Sequence, residues 1–389
     1  MTLDHRARVA VAALFLTNGA IFANLLPRYP EIKSDLHLSN AVYGAAIAAF
    51  SGGALVAGLA AGALIRRFHS SRVAVISTVI LATFVVVAGL ANSPLVFAAA
   101  LFVAGASDSI TDVAQNAHGL RVQRNYGRSI INSFHAVWAV GAILGGLMGA
   151  GAIAIHMPRS THLLIAAVVF SVVVLIAYPY LLRGADHDDH PAAHSAGGNA
   201  GLAVYATLLA LVLIAIAGAT VEDAGSSWAT LYLRDSLGAP GAVAVFGYIA
   251  LVGFMFLGRL IGDRLVDRYG ERLVVRAGGL IAAVGMGAAL AFPTVPGTIA
   301  GFAAAGFGVA TLIPAAMHGA DQLPGMRPGS GLTVVTWLMR IGFFGAPLLV
   351  GVVADATSLR VGLLSVPIAG ITVVALAGAL NARRLPSRS

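Results

Sequence analysis

Residues 73–91 read VAVISTVILATFVVVAGLA, and after Asn92, Ser93 and Pro94 the chain runs on as LVFAAALFVAGAS to Ser107 without meeting a charge. A helix rises about 1.5 Å per residue, so roughly 20 apolar residues cross the hydrocarbon core of a bilayer. The first stretch has that length, and Asn-Ser-Pro makes a tight connector to the second. An open strand in lipid would leave its backbone groups unbonded, so helix is the state to expect. Working outward from this pair, similar stretches fall near 8–27, 40–64, 73–91, 95–119, 130–152, 161–182, 203–222, 242–264, 273–292, 297–319, 330–353 and 361–381. The expectation is an all-α integral membrane protein with twelve transmembrane helices. The first stretch is too long for a cleaved signal, and Asn24-Leu25-Leu26-Pro27-Arg28 is not a small-residue cleavage site.

Composition agrees. Of 389 residues, 58% are hydrophobic and 10% charged, with a mean hydropathy of +0.88. So few charges cannot coat a water-facing surface of this size. This excludes a soluble globular protein, a disordered chain and a nucleic-acid binder, despite the net charge of +8. The chain has no cysteine, so disulfides, thiolate metal sites and a cysteine nucleophile are excluded too. No metal or other cofactor is expected.

The basic residues report orientation. Arg28, Lys33, Arg159, Arg234 and Arg360 fall in one set of connectors, Arg259 and Arg340 lie inside spans, and every other Arg falls in the alternate connectors or at the termini. Basic loops face the cytoplasm, so both termini are expected inside, in a bacterial plasma (inner) membrane.

The connector Gly184 to Asn199 differs from the rest, being polar, Gly-rich and central. It reads as a flexible linker, 184–202, between a bundle at 1–183 and a bundle at 203–389. Its His and Asp residues admit a metal-site reading, but Pro191 between His190 and His194 spoils a helical pair. The halves echo each other at an offset near 200 residues. Ala117-His118-Gly119 matches Met317-His318-Gly319, Arg67-Phe68-His69 matches Arg268-Tyr269-Gly270, and the glycines at 141–146 face those at 342–345. Internal repeats of this kind build alternating-access transporters.

Six plus six spans, a central loop and a basic second-to-third connector resemble the major facilitator superfamily. Asp267-Arg268-Tyr269-Gly270-Glu271-Arg272 resembles its loop signature, while the first-half copy carries Arg66 at the Asp position and His69 at the Gly position. The segments 112–119, 133–136 and 258–268 resemble the MosC/YbjJ-like branch. The resemblance implies the two-bundle major facilitator fold, a secondary transporter and a small-molecule substrate. It also implies that the fourth and eleventh helices line opposite walls of one cavity.

Ionisable groups inside spans are costly and mark candidate sites. Asp108 and Asp112 lie one turn apart on the fourth span, and Gln115 and Asn116 continue the stripe. Like charges so close favour one of them holding a proton, as proton coupling requires. Arg340 lies mid-span in the eleventh, with Trp337 on its face, and is expected to answer those carboxylates directly or through substrate. Asn18 in the first span and His135 opening the fifth are further proton or substrate candidates. Glu222 and Asp223 close the seventh span as an outer-gate pair, the alternative being a solvated helix end. Arg259 and Asp263, spaced by four, lead into Asp267, Arg268 and Arg272 as a cytoplasmic gate. His118 and His318, at equivalent positions, read as structural.

The function these features favour is secondary active transport of a small polar solute, with the proton as coupling ion, by a monomer in the lipid bilayer. The alternative is a drug or metabolite efflux antiporter. A membrane-embedded enzyme would need a nucleophile or metal set that the spans lack, and a sensor would need a soluble effector domain.

Overall fold

The computed structural model describes residues 3–126, 130–184, 201–326 and 329–380. Most of the expected linker 184–202, with its His and Asp residues, lies outside them, as does Arg327. Among the described residues twelve helices are long and apolar enough to cross a membrane: α1 (His5–Asp35), α2 (Asn40–Phe68), α3 (Ser70–Gly89), α4 (Pro94–Asn125), α5 (Ser133–Ala154), α6 (Arg159–Tyr180), α7 (Leu202–Ser236), α8 (Gly241–Tyr269), α9 (Glu271–Ala291), α10 (Val295–Asp321), α11 (Ser330–Ala356) and α12 (Leu359–Ala379). Helix starts carry the expected chemistry. Ser39, Thr294 and Ser358 each accept a backbone N–H of the following turn, and Pro stands at the head of α4.

The chain divides into two compact units, Met1–Asp189 with Gly238–Ile249, and His190–Leu237 with Ala250–Ser389. The stretch opening α8 therefore groups with the first unit, where the Tyr248 hydroxyl donates to the Ala142 carbonyl on α5 at 3.5 Å. In the first unit α1 lies along α5, and α2 along α4, with α3 and α6 packed behind them. Phe15 on α1 stacks on Phe134 of α5, ring centroids 5.4 Å apart, within a core that includes Val11, Leu14, Ala114 and Val174.

Lipid tails supply little hydrophobic drive between helices, so close backbone approach has to bind them. A Cβ on Gly141 of α5 would overlap the Leu16 carbonyl of α1, and one on Gly105 of α4 would overlap the Phe50 carbonyl of α2. The second unit repeats both contacts at the same offset. Gly342 of α11 faces the Ile216 carbonyl of α7, and Gly306 of α10 faces the Leu251 carbonyl of α8. The duplication seen in the sequence is therefore also a duplication of contacts.

The turns between the second and third spans of each half repeat too. Gly270 between α8 and α9 has φ 83° and ψ 152°. His69, at the equivalent place between α2 and α3, has φ 70° and ψ 144°. That backbone region is nearly reserved for glycine, and a side chain there costs about 1–3 kcal/mol. His118 offsets part of this cost by tying the turn down. Its ring donates from Nδ1 to Ser70 Oγ at 2.8 Å and accepts the Leu182 N–H at Nε2, 3.1 Å. In the second unit His318 donates from Nδ1 to Glu271, the first residue of α9, and accepts from Gln322 at Nε2. Both histidines thus join the end of one span to the start of another. Replacing His69 by Gly is expected to raise stability by about 1 kcal/mol, since the turn needs φ > 0, read as a higher melting temperature of the full chain in detergent. An unchanged or lower value contradicts the strain assigned to His69.

Candidate functional site

The polar groups of the first unit converge on one amide. Asn18, 3% exposed on α1, donates from Nδ2 to Asp108 Oδ1 at 2.8 Å. Its Oδ1 accepts from Trp138 Nε1 of α5 at 2.9 Å and from Gln115 Nε2 of α4 at 3.4 Å. One side chain therefore joins three helices, and its carboxamide suits the task because it offers both a donor and an acceptor. An aspartate here could only accept, and would face Asp108 with like charge.

From Asn18 the contacts continue along α4. Gln115, fully buried, also reaches Asp112 Oδ1 at 3.4 Å. Asn116 donates to the same oxygen at 2.9 Å and accepts from His135 Nε2 at 3.1 Å. His135 lies edge-on to Phe15, centroids 5.3 Å apart. Burial falls along this path, with Asp108 half-buried and Asp112 and His135 exposed. The run of polar side chains leads from the middle of α4 to the edge of the unit. Six of the residues singled out from sequence, Asn18, Asp108, Asp112, Gln115, Asn116 and His135, meet in this one cluster. Among the described residues Gln115 Oε1 is buried without a donor, a cost the helix contacts around it must outweigh.

The second unit carries its candidates on α7, α8, α9 and α11. Arg340 is half-buried on α11, and Trp337, 53% exposed, lies one turn before it. The Thr333 hydroxyl is taken by the Gly329 carbonyl of its own helix. Glu222 and Asp223 do not end a helix. The chain continues through π-helical turns at Ala224–Trp228 and Tyr232–Ser236, so α7 runs well past the expected boundary at 222. Ser227 donates to Asp223 Oδ1 at 2.9 Å, and Asp223 is 7% exposed. The solvated-end reading thus gives way to a buried carboxylate at a π-turn, a feature often found at functional positions.

The expected Arg259–Asp263 ion pair is not formed among the described residues. Both side chains are exposed. An exposed i,i+4 pair with the cation placed first gains too little to hold two long side chains together. Asp267 is exposed as well, and the Arg268 guanidinium lies over the Tyr269 ring, 5.3 Å from its centroid. Arg272 caps α12, donating to the Leu380 and Gly378 carbonyls at 3.0 and 2.6 Å. Arg121 does the same in the first unit for the carbonyls of Arg183 and Gly184.

Sequence reasoning missed a second buried network. Arg28, placed in a connector, is 3% exposed. It pairs with Glu31 at 2.7 Å, donates to the Met157 carbonyl at 2.9 Å and donates from Nε to His162 Nδ1 at 3.3 Å. His162 passes its own proton donor, Nε2, to Asn24 Oδ1 at 2.9 Å. The available signal was spacing. Asn24, Arg28 and Glu31 share one helical face, and the connector reading assumed the helix had already ended. The Thr111–Ser77 hydrogen bond between α4 and α3, at 2.7 Å, was missed for the same lack of a one-helix signature. No group of three or more metal-ligating side chains occurs among the described residues.

The Major Facilitator Superfamily model matches residues 11–266. The chain belongs to the major facilitator superfamily. An uncharacterised transporter of Sinorhizobium fredii is 30% identical over 372 residues, covering 95% of this chain and 97% of its own. The membrane protein MosC of Rhizobium meliloti is 28% identical over 366 residues, covering 94% of this chain and 88% of its own, consistent with a MosC-like branch. The nucleoside transporter NupG has the same fold, with a TM-score of 0.74 at 15% identity, covering 97% of this chain and 98% of its own. A D-xylose–proton symporter gives 0.75 at 14%, covering 97% of both chains. This superfamily member is a multi-pass membrane transporter rather than an enzyme.

Removing the Asn18 amide would leave Asp108 Oδ1 and the Trp138 N–H without their shared partner. Asn18→Ala is expected to cost about 1–3 kcal/mol, the penalty for stranded buried polar groups, and to move the Trp138 emission. Melting temperature and fluorescence of the full chain check both. Wild-type values for Asn18→Ala contradict its place at the hub.

Proposed function

We propose that this transporter moves a small polar solute across the plasma membrane by alternating access, coupled to protons through Asp108. What supports the reading is the unbroken polar path in the first unit, from Asp108 through Asn18, Gln115, Asp112 and Asn116 to His135. A carboxylate inside a span has to be matched by donors or by a proton. Among the described residues one amide hydrogen bond holds it, and titratable groups continue toward the unit's edge. Asp112 and His135 serve as the exchange point with water, and Asn18 fixes the orientation of Asp108.

The polar character of this path favours a hydrophilic cargo. Proteins of the same fold are described as a nucleoside transporter and a D-xylose–proton symporter, and a solute rich in hydroxyl or amide groups fits the same chemistry. Arg340 and Trp337 serve as the second unit's substrate contacts, the guanidinium taking a polar or anionic group and the indole a flat apolar face. Asp223 serves as an outer-gate carboxylate with Glu222. Its Oδ2 is buried without a donor among the described residues, so the group sits where a change of charge state has a large energetic effect.

The test begins with a thermal-shift screen of polar solutes on the purified chain. The stabilising solute is then used in proteoliposomes with an imposed pH gradient. Asp108→Asn is expected to abolish gradient-driven accumulation while retaining solute exchange at equal pH, because a carboxamide keeps the bond to Asn18 but does not take up and release a proton. Full accumulation by Asp108→Asn removes the proton role.

Orientation has its own test. Because the chain lacks cysteine, a single cysteine at Arg276 reports its side directly. With both termini inside, it reacts in intact cells with a membrane-permeant maleimide and resists an impermeant one, whereas a cysteine at Lys33 reacts with both. The opposite pattern inverts the topology.

A further inference from the structure

The junction of Arg28, His162 and Asn24 in the first unit fixes the state of its imidazole. His162 is 4% exposed and both its ring nitrogens are engaged. A guanidinium can only donate, so Nδ1, 3.3 Å from Arg28 Nε, has to be the bare, accepting nitrogen. On the other side, the Asn24 amide is oriented by its own helix. Its Nδ2 donates to the Ala20 carbonyl at 2.8 Å, which turns Oδ1 toward His162 Nε2 at 2.9 Å. Nε2 therefore carries the hydrogen, and the ring is neutral with no lone pair to spare. A second proton can go only to Nδ1, where the Arg28 N–H already points.

The charges around the ring are matched without it. Arg28 pairs with Glu31 at 2.7 Å, and Arg159 with Asp35 at 2.8 Å. Lys33 on α1, His37 in the connector to α2 and His156 in the connector before α6 stand at the same end of the unit, none of them buried. The end of α3 and its connector, residues 86–97, bring no charged group or imidazole, and neither does the end of α5, residues 145–154. A proton on His162 would thus add an unmatched positive charge beside Arg28 in a buried place.

We infer that His162 is a proton-binding switch: neutral, it holds the end of α1 on α6, and a proton at Nδ1 displaces Arg28 and releases the two helices. Imidazole is the side chain whose charge changes between about pH 5 and 8, whereas a carboxamide could make the same two bonds at any pH. The switch is separate from the Asp108 path. Helix α5 starts beside His135 and ends at Ala154, so the junction lies at the opposite end of the unit from Asp112 and His135. On the proposed orientation, with both termini inside, this end meets the external medium and the proton is an external one. A measurement in detergent is independent of that side.

The experiment is a spin-label distance measurement on the full chain in detergent. The chain has no cysteine, so Ser34→Cys and Ser160→Cys, both at exposed positions, put one label on α1 and one on α6 beside the junction. A narrow distance distribution at about pH 7.5 is expected to broaden reversibly at about pH 5. A released imidazole titrates near about pH 6.5, so the ratio of released to closed forms rises about 30-fold over that range. His162→Gln, added to the labelled pair, is expected to keep the narrow distribution at both pH values. Asp35→Asn, which removes the exposed carboxylate of the neighbouring ion pair, is expected to leave the acid response in place. No change in the parent pair at about pH 5 overturns the proposal. So does a response that persists in His162→Gln, which puts the proton elsewhere. A response lost in Asp35→Asn, or one that sets in only below about pH 4.5, belongs to carboxylates and overturns it as well.

Discussion

Everything in this molecule follows from the absence of a solvent that can hydrogen-bond the backbone at the depth of the membrane. Each span must satisfy its own N–H and C=O groups, which leaves the helix as the workable state for twelve separated apolar stretches. The same absence removes most of the drive that packs helices in water, so contact has to come from close backbone approach. Gly141 against Leu16, and Gly105 against Phe50, supply it in the first unit, and their counterparts at Gly342 and Gly306 supply it in the second. It also governs side chains. A polar group that cannot reach water must find another polar group, and Asn18, Asp108, Trp138 and Gln115 are found together for that reason.

The fold was legible because its signals are local and strong. Length, hydropathy and the loop arginines act one segment at a time, so twelve spans and the repeat at about 200 residues could be read without any knowledge of packing. The polar cluster was partly legible. Asp108, Asp112, Gln115 and Asn116 share a helix, and their spacing alone brings them to one face. That Asn18 is the residue binding this face to α5 lay outside any periodicity, since the contact joins positions ninety residues and more apart.

The readings that changed changed for physical reasons. Glu222 and Asp223 look like a helix end because two acids in a row usually meet water, but the π-turns and the Ser227 hydroxyl carry the helix onward and bury Asp223. Arg28 looks like a loop residue because a proline precedes it, yet a single 3-10 turn lets α1 continue, and its guanidinium finds a carboxylate, a carbonyl and an imidazole inside the unit. Arg272 belongs to the loop signature by sequence and to the end of α12 by contact. In each case a neighbour distant in the chain decided what a local pattern had left open.

The turn at His69 carries a consequence of another kind. Its backbone angles match those of Gly270 although the residue no longer suits them, so the two halves have kept a common path while their letters drifted. Ancestry in such a chain is archived in geometry rather than spelling. A duplicated segment whose side chains have been rewritten can still be recognised by the carbonyl that each glycine touches and the bend that each helix pair must make.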